Sequence, residues 1–446
     1  MKLLLVYPPF CTPAIVSYSL VNLHAFLKAN NVESSVLDLN VEFHNRKFKE
    51  YREYFRSLQD LSDYDLRVKE YDKVSRECYS INNRAVIDNK NPELFDEMIS
   101  LIVDKKVDVV GFSIVYSSQV FYTIALIKEL KRLGIKTIVG GPAVNDNLIE
   151  EADYYLKNEF ELLEFISGKI EYDKVKCDYS LDYEIFNSDA YFVNEGVVPL
   201  KTSHGCYYAN CAFCTHHKGE KYLEYNLKNI EETVKKCRHK YFFIIDDMVH
   251  KQRILKIADI MKKYNKKWSC QLRPTKDYDL ETLKVMHESG CKTITWGVES
   301  GCQRILDLMN KTTKVDEVRN VLVNSHNLGI KNVVYIMLGF PTETKEEAEI
   351  TVKFLEDNTY NIDLVSISIF GLQKGSPVYN EPEKFGVVEV IEEKRKLLPE
   401  RITYKVSKGM DKEELKKYKK KIRSRIDKIN KYPRYMNFFR EHILLF

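Results

Sequence analysis

Along the first 170 residues, short apolar runs alternate with stretches of helical spacing. KLLLVY (2–7) is a continuous apolar run of strand length, SYSLVNLHAFLKANN (17–31) returns its apolar positions every three or four residues, and SSVLDLNV (34–41) reads as a second strand. After a charged, Tyr-rich, helix-leaning insertion at 44–105 come VDVVGFSIV (strand), VFYTIALIKELKRLG (helix, stopped by Gly134) and KTIVGGP (strand into a glycine turn). Strand–helix–strand units of this length predict a doubly wound parallel sheet with helices on both faces. Ligands of such sheets bind beyond the carboxyl ends of the strands. That places attention on Pro9 and Phe10, on Ser113, Tyr116, Ser117 and Ser118, and on Gly140, Gly141 and Pro142. By themselves these are ordinary turn formers.

Residues 171–195 lose periodicity and read as a linker. From 196 a second series begins, with strand runs VVPLKTS, YFFIIDD, WSCQLR, TITWGVE, NVVYIMLGF and LVSISIF separated by helical patterns. Six such repeats predict a partial (β/α)6 barrel of TIM type over 196–380, with function at the carboxyl ends of its strands. The fold class is therefore α/β: a doubly wound sheet, a partial barrel and a helical extension. The extension, 381–446, is strongly basic (KKYKKKIRSRIDKINK) and reads as a solvated face packed on the body, with nucleic-acid contact the lesser reading.

With 446 residues, 44% hydrophobic and 30% charged, the chain can build two domains and an extension. A net charge of +4 makes no case for nucleic acid, and no apolar run has the length of a membrane span. MKLLLVYPPF loses its apolar character at Pro8 and Pro9, as a first strand does and a signal peptide does not. The expectation is a cytoplasmic protein with reduced thiols.

Those thiols change the picture. Of ten cysteines, seven stand singly, as small core fillers do, but Cys206, Cys211 and Cys214 fall together in SHGCYYANCAFCTHH. Soft sulfur ligands this close in sequence select zinc, copper(I) or iron–sulfur clusters. A zinc knuckle completed by His216 or His217 is one reading of the spacing. An iron–sulfur cluster held by three thiolates, with one iron left open, is the other. His204, Tyr207 and Tyr208 flank the loop without an assigned chemical role.

The cysteine loop and the strand-end motifs after it resemble the radical SAM (S-adenosylmethionine) superfamily over residues 196–380. The four residues between Cys206 and Cys211 match the longer loop of subfamilies that carry an N-terminal cobalamin domain. The resemblance implies a [4Fe-4S] cluster on Cys206, Cys211 and Cys214 with SAM on its open iron. It also implies SAM contacts from Phe213, from Asp246 and Asp247 of IIDDMV, from Arg273 of SCQLR, from Glu299 and Ser300 of TWGVESG, and from Gly339 and Pro341 of MLGFPTET. Each of these alone also reads as a helix cap or a turn.

VYPPF, VDVVGFSIVYSS and VGGP resemble the cobalamin-binding domain. No Asp-x-His-x-x-Gly motif occurs, so no lower-axial histidine is expected, and Asn158-Glu159-Phe160-Glu161 stands where the family often has Gly-Glu-Gly-Glu. The function implied is a cobalamin-dependent radical SAM enzyme that makes a 5′-deoxyadenosyl radical and methylates an unactivated carbon of a small-molecule or peptide substrate. An external electron donor such as flavodoxin or ferredoxin would supply it. The alternatives are a radical SAM enzyme for a non-methylating rearrangement or oxidation, a methylthiotransferase of transfer RNA, and a non-catalytic zinc-stabilised protein. The methylthiotransferase would need a second cysteine triad, and Cys11, Cys78 and Cys177 are not spaced as one.

Overall fold

The computed structural model describes residues 1–215 and 221–446; His216 and His217 of the zinc reading lie outside them. The N-terminal sheet contains β1 (Leu3–Tyr7), β2 (Ser34–Asp38), β3 (Val109–Ser113), β4 (Lys136–Gly140) and the short β5 (Tyr154–Tyr155), in the order β2-β1-β3-β4-β5. All its pairings are parallel, with Leu3 opposite both Ser34 and Val109. β1 and β3 are buried along their whole length, as strands covered on both faces must be. The order reverses between β1 and β3, so the crevice lies at their carboxyl ends.

β6 (Val198–Leu200) opens the second domain, and β7 (Ser203–His204) pairs with β8 (Leu223–Glu224) as a small antiparallel ribbon. β9 (Tyr241–Ile244), β10 (Lys267–Leu272), β11 (Cys291–Glu299), β12 (Lys331–Leu338) and β13 (Leu364–Ile369) follow. With β6 they form one parallel sheet in chain order, β6-β9-β10-β11-β12-β13. This is the partial barrel. The insertion is helical: Leu39–Lys47, Lys49–Arg56, Tyr64–Ile87 and Phe95–Val103.

Two segments differ from their sequence reading. Residues 171–195 are a packed strap of three 3₁₀ turns, with Tyr183, Tyr191 and Phe192 buried. The Tyr191 hydroxyl donates to Asp38 of β2 at 2.8 Å, and Tyr183 donates to the Pro199 carbonyl. The strap ties the sheets together through aromatic burial, which needs no periodicity.

The extension begins with an antiparallel hairpin, β14 (Val387–Glu393) and β15 (Arg401–Val406), before its helix Lys412–Ile429. Ion pairs such as Lys405–Glu389 at 2.6 Å link the two strands. In the helix, Leu415, Tyr418, Ile422, Ile426 and Ile429 form the buried stripe. Its basic face meets the acidic helix Lys345–Asp357, with Arg425 paired to Glu349 and Glu356 at 2.6 and 2.7 Å. The chain then plugs the domain junction: Phe439 and His442 pack on Phe55, and His442 Nδ1 lies 2.7 Å from the Tyr64 hydroxyl.

Candidate active site

The cysteine loop leaves the sheet after β6 and sits at the carboxyl end of the barrel, where Cys206 forms a bridge with Met248 beyond β9. The Ala209 amide donates to Cys206 Sγ at 3.4 Å. Cys211 feels both other thiols; burial pushes it up to about 11, with Lys311 pulling it down and Cys214, Glu299 and Cys206 adding to the rise. No three His, Cys, Asp or Glu side chains among the described residues form a preformed pocket for a single metal ion. What the structure offers is a loop carrying three neighbouring thiols, a donor set that fits an iron–sulfur cluster.

Arg273, at the end of β10, braces this loop. Its guanidinium lies 3.9 Å above the Tyr208 ring and donates to the Lys311 carbonyl at 3.2 Å and the Thr312 hydroxyl at 3.0 Å. Its Nε is buried without a hydrogen-bond partner, a donor left over for a ligand. Glu299, with a left-handed φ of 67°, pairs with Lys311 at 2.9 Å. Phe213 lies under the same ammonium, 5.8 Å from its ring centroid.

Other expected contacts serve the fold. Asp246 is 5% exposed and accepts from the Thr202 amide and the Thr202 and Ser203 hydroxyls, tying β9 to the cysteine loop; burial, the largest influence, raises its pKa. Ser300 accepts from the Cys302 amide at 3.1 Å and lies 3.0 Å from the Thr351 hydroxyl, which orders the turn into helix Gln303–Leu308. Gly339 has φ of 77°, and a Cβ there would run into Leu415. Pro341 follows in the same buried turn, whose Glu343 carboxylate accepts from the Gly339 amide.

Between the two sheets lies a cavity of about 740 Å³. Its N-terminal wall is the crevice between β1 and β3: Tyr7, Cys11, Tyr116 and Ser118, with Ser17 to Ser19. Asp246, Asp247 and Gln271, at the ends of β9 and β10, form the facing wall, and Asn437, Phe438, Arg440 and Glu441 of the extension form the third. No histidine is among the described lining residues.

Ser113 supports this wall from behind, donating to Ser19 at 2.8 Å. Phe10 turns away and packs on Phe43 and His44; Pro9 and Ser117 are not in the lining. Gly140, Gly141 and Pro142 lie one strand beyond the reversal point and do not reach the cavity; Gly141, at φ 113°, is required where the chain passes the Ile114 carbonyl. Lys311 and the third wall were not legible in sequence, because a lone lysine in a polar turn and a tail far from the motifs carry no signal of their own.

Comparison with known proteins agrees with this geometry. The Radical SAM superfamily profile matches residues 200–355. An uncharacterized methyltransferase of Pyrococcus horikoshii is 27% identical over 185 residues, 39% of each chain. The cytidylyl-2-hydroxyethylphosphonate methyltransferase of Streptomyces wedmorensis is 27% identical over 220 residues, 45% of this chain and 40% of that one. The chain thus spans about two-fifths of the length of these relatives. Among solved structures, the radical S-adenosylmethionine methyltransferase TsrM of Kitasatospora setae, with cobalamin and a [4Fe-4S] cluster bound, superposes with a TM-score of 0.64 at 15% identity. That match covers 96% of this chain and 89% of TsrM. Residues 200–355 thus carry the match to the radical SAM superfamily, set within a two-domain fold that this chain shares with TsrM.

Proposed function

We propose that the protein is a cobalamin-dependent radical SAM enzyme that methylates an unactivated carbon of a small-molecule or peptide substrate. One observation carries the reading: the cavity at the β1/β3 crevice opens onto the barrel end that bears the three-cysteine loop. In this reading Cys206, Cys211 and Cys214 hold the cluster, with Arg273, Glu299 and Phe213 arranged for SAM beside it. Tyr116, Ser118 and Ser17 to Ser19, at the start of helix Tyr18–Ala29, face the space for cobalamin. Bound there, the cluster and SAM supply one-electron bond cleavage and cobalamin supplies a methyl carrier.

The protein's own part is orientation and exclusion of water. Tyr7, Tyr18, Phe243 and Phe438 give the cavity apolar walls, and Arg440, held by the Tyr335 hydroxyl, and Glu441 give its tail side charge. Anaerobic reconstitution tests the reading. We expect about four irons with matching sulfide, and loss of that iron in the Cys206→Ala/Cys211→Ala/Cys214→Ala variant. With substrate, S-adenosylhomocysteine should form alongside 5′-deoxyadenosine. Zinc without sulfide would establish the structural-metal alternative, and 5′-deoxyadenosine without S-adenosylhomocysteine the non-methylating one.

A further inference from the structure

Lys311 is 4% exposed, and a buried ammonium is costly unless it is paired. Its partner is Glu299, at 2.9 Å, and the backbone leaves room for the pair at a glycine: a Cβ on Gly297 would stand 2.9 Å from the Glu299 carboxylate and 3.1 Å from Lys311 Nζ. The turn that carries Lys311 is fastened to the cysteine loop at several points. The Ala212 amide donates to the Met309 carbonyl at 2.9 Å, Asn310 Nδ2 donates to the Asn210 carbonyl at 2.8 Å, and the Tyr208 hydroxyl donates to the Asn310 carbonyl. Arg273 holds the Lys311 carbonyl itself.

The ammonium then lies over the ring of Phe213, between two of the cysteines. Its position over a ring of the loop turns the positive end of the pair toward the cysteines.

We infer that Lys311 is a positioning residue that Glu299 and Gly297 hold against the cysteine loop, where its charge makes the bound cluster easier to reduce. The inference rests on the cluster proposed above. A positive charge close to a group that gains an electron favours the reduced form, and burial limits the screening of that charge.

The test is a redox titration of reconstituted protein, without SAM, followed by the electron paramagnetic resonance signal of the reduced cluster. In Lys311→Met the reduced-to-oxidised ratio at fixed poise should fall roughly tenfold, about 59 mV for a one-electron couple. Lys311→Arg should stay close to the wild type. Lys311→Met/Glu299→Gln leaves no buried orphan charge and keeps the experiment decisive if the single variant fails to hold iron; its ratio should also fall. Iron-replete variants that titrate with the wild type would overturn this inference alone. A wild-type protein that takes up no iron would overturn the cluster reading, and this inference with it.

Discussion

Glu343 shows how one side chain ties stability to pH. Burial pushes its carboxyl up to about 7, although it accepts from the Gly339 amide, and Oε1 is left without a partner. The folded pKa lies above the ordinary carboxyl value of 4.5, so between these pH values the folded chain keeps a proton that the unfolded chain releases. The contribution of this group to stability therefore falls as pH rises through that window. Relative to Glu343→Gln, the wild type should lose roughly 2–3 kcal/mol between pH 5 and pH 8 in chemical denaturation. At this scale sequence reading was partial. It named the thiols, Arg273 and Glu299 from their order along the chain, but not Lys311, which stands out only through its burial beside Glu299. Asp246 and Ser300 carry motif positions yet spend their oxygens on neighbouring backbone and hydroxyl groups.

Among the elements, the extension helix Lys412–Ile429 has the clearest energetic role. Leu415 is 3% exposed and fills the space above Gly339 that a side chain would otherwise take. Leu415→Ala should cost about 2–4 kcal/mol and raise the rate of limited proteolysis within 405–430, while iron content stays unchanged. The barrel strands were readable because buried parallel strands are near-continuous apolar runs, as in the VVYIML stretch of β12, and their helices return apolar residues at regular spacing. The hairpin β14–β15 was not, since its charged cross-strand pairs give it the composition of the basic tail. The strap at 171–195 escaped for another reason: its buried aromatics, Tyr183, Phe186, Tyr191 and Phe192, follow neither helix nor strand spacing.

At the scale of the whole molecule, the fold class followed from the alternation of strands and helices, but the closing of the cavity by the extension did not. Ser118 lines that cavity from a half-buried 3₁₀ turn after β3, so Ser118→Trp is a direct way to obstruct it. We expect this variant to hold its iron, to lose most of its corrin uptake in anaerobic loading read by absorbance, and to keep the wild-type melting temperature within a few degrees.

The chamber's three walls come from stretches far apart along the chain, and Phe438, Arg440 and Glu441 lie more than two hundred residues after Cys206, Cys211 and Cys214. Under the proposed function, selectivity and radical generation would be housed in separable parts of one polypeptide. Exchanging a few side chains in the last dozen residues would reshape what the chamber admits while the three-cysteine loop stays as it is.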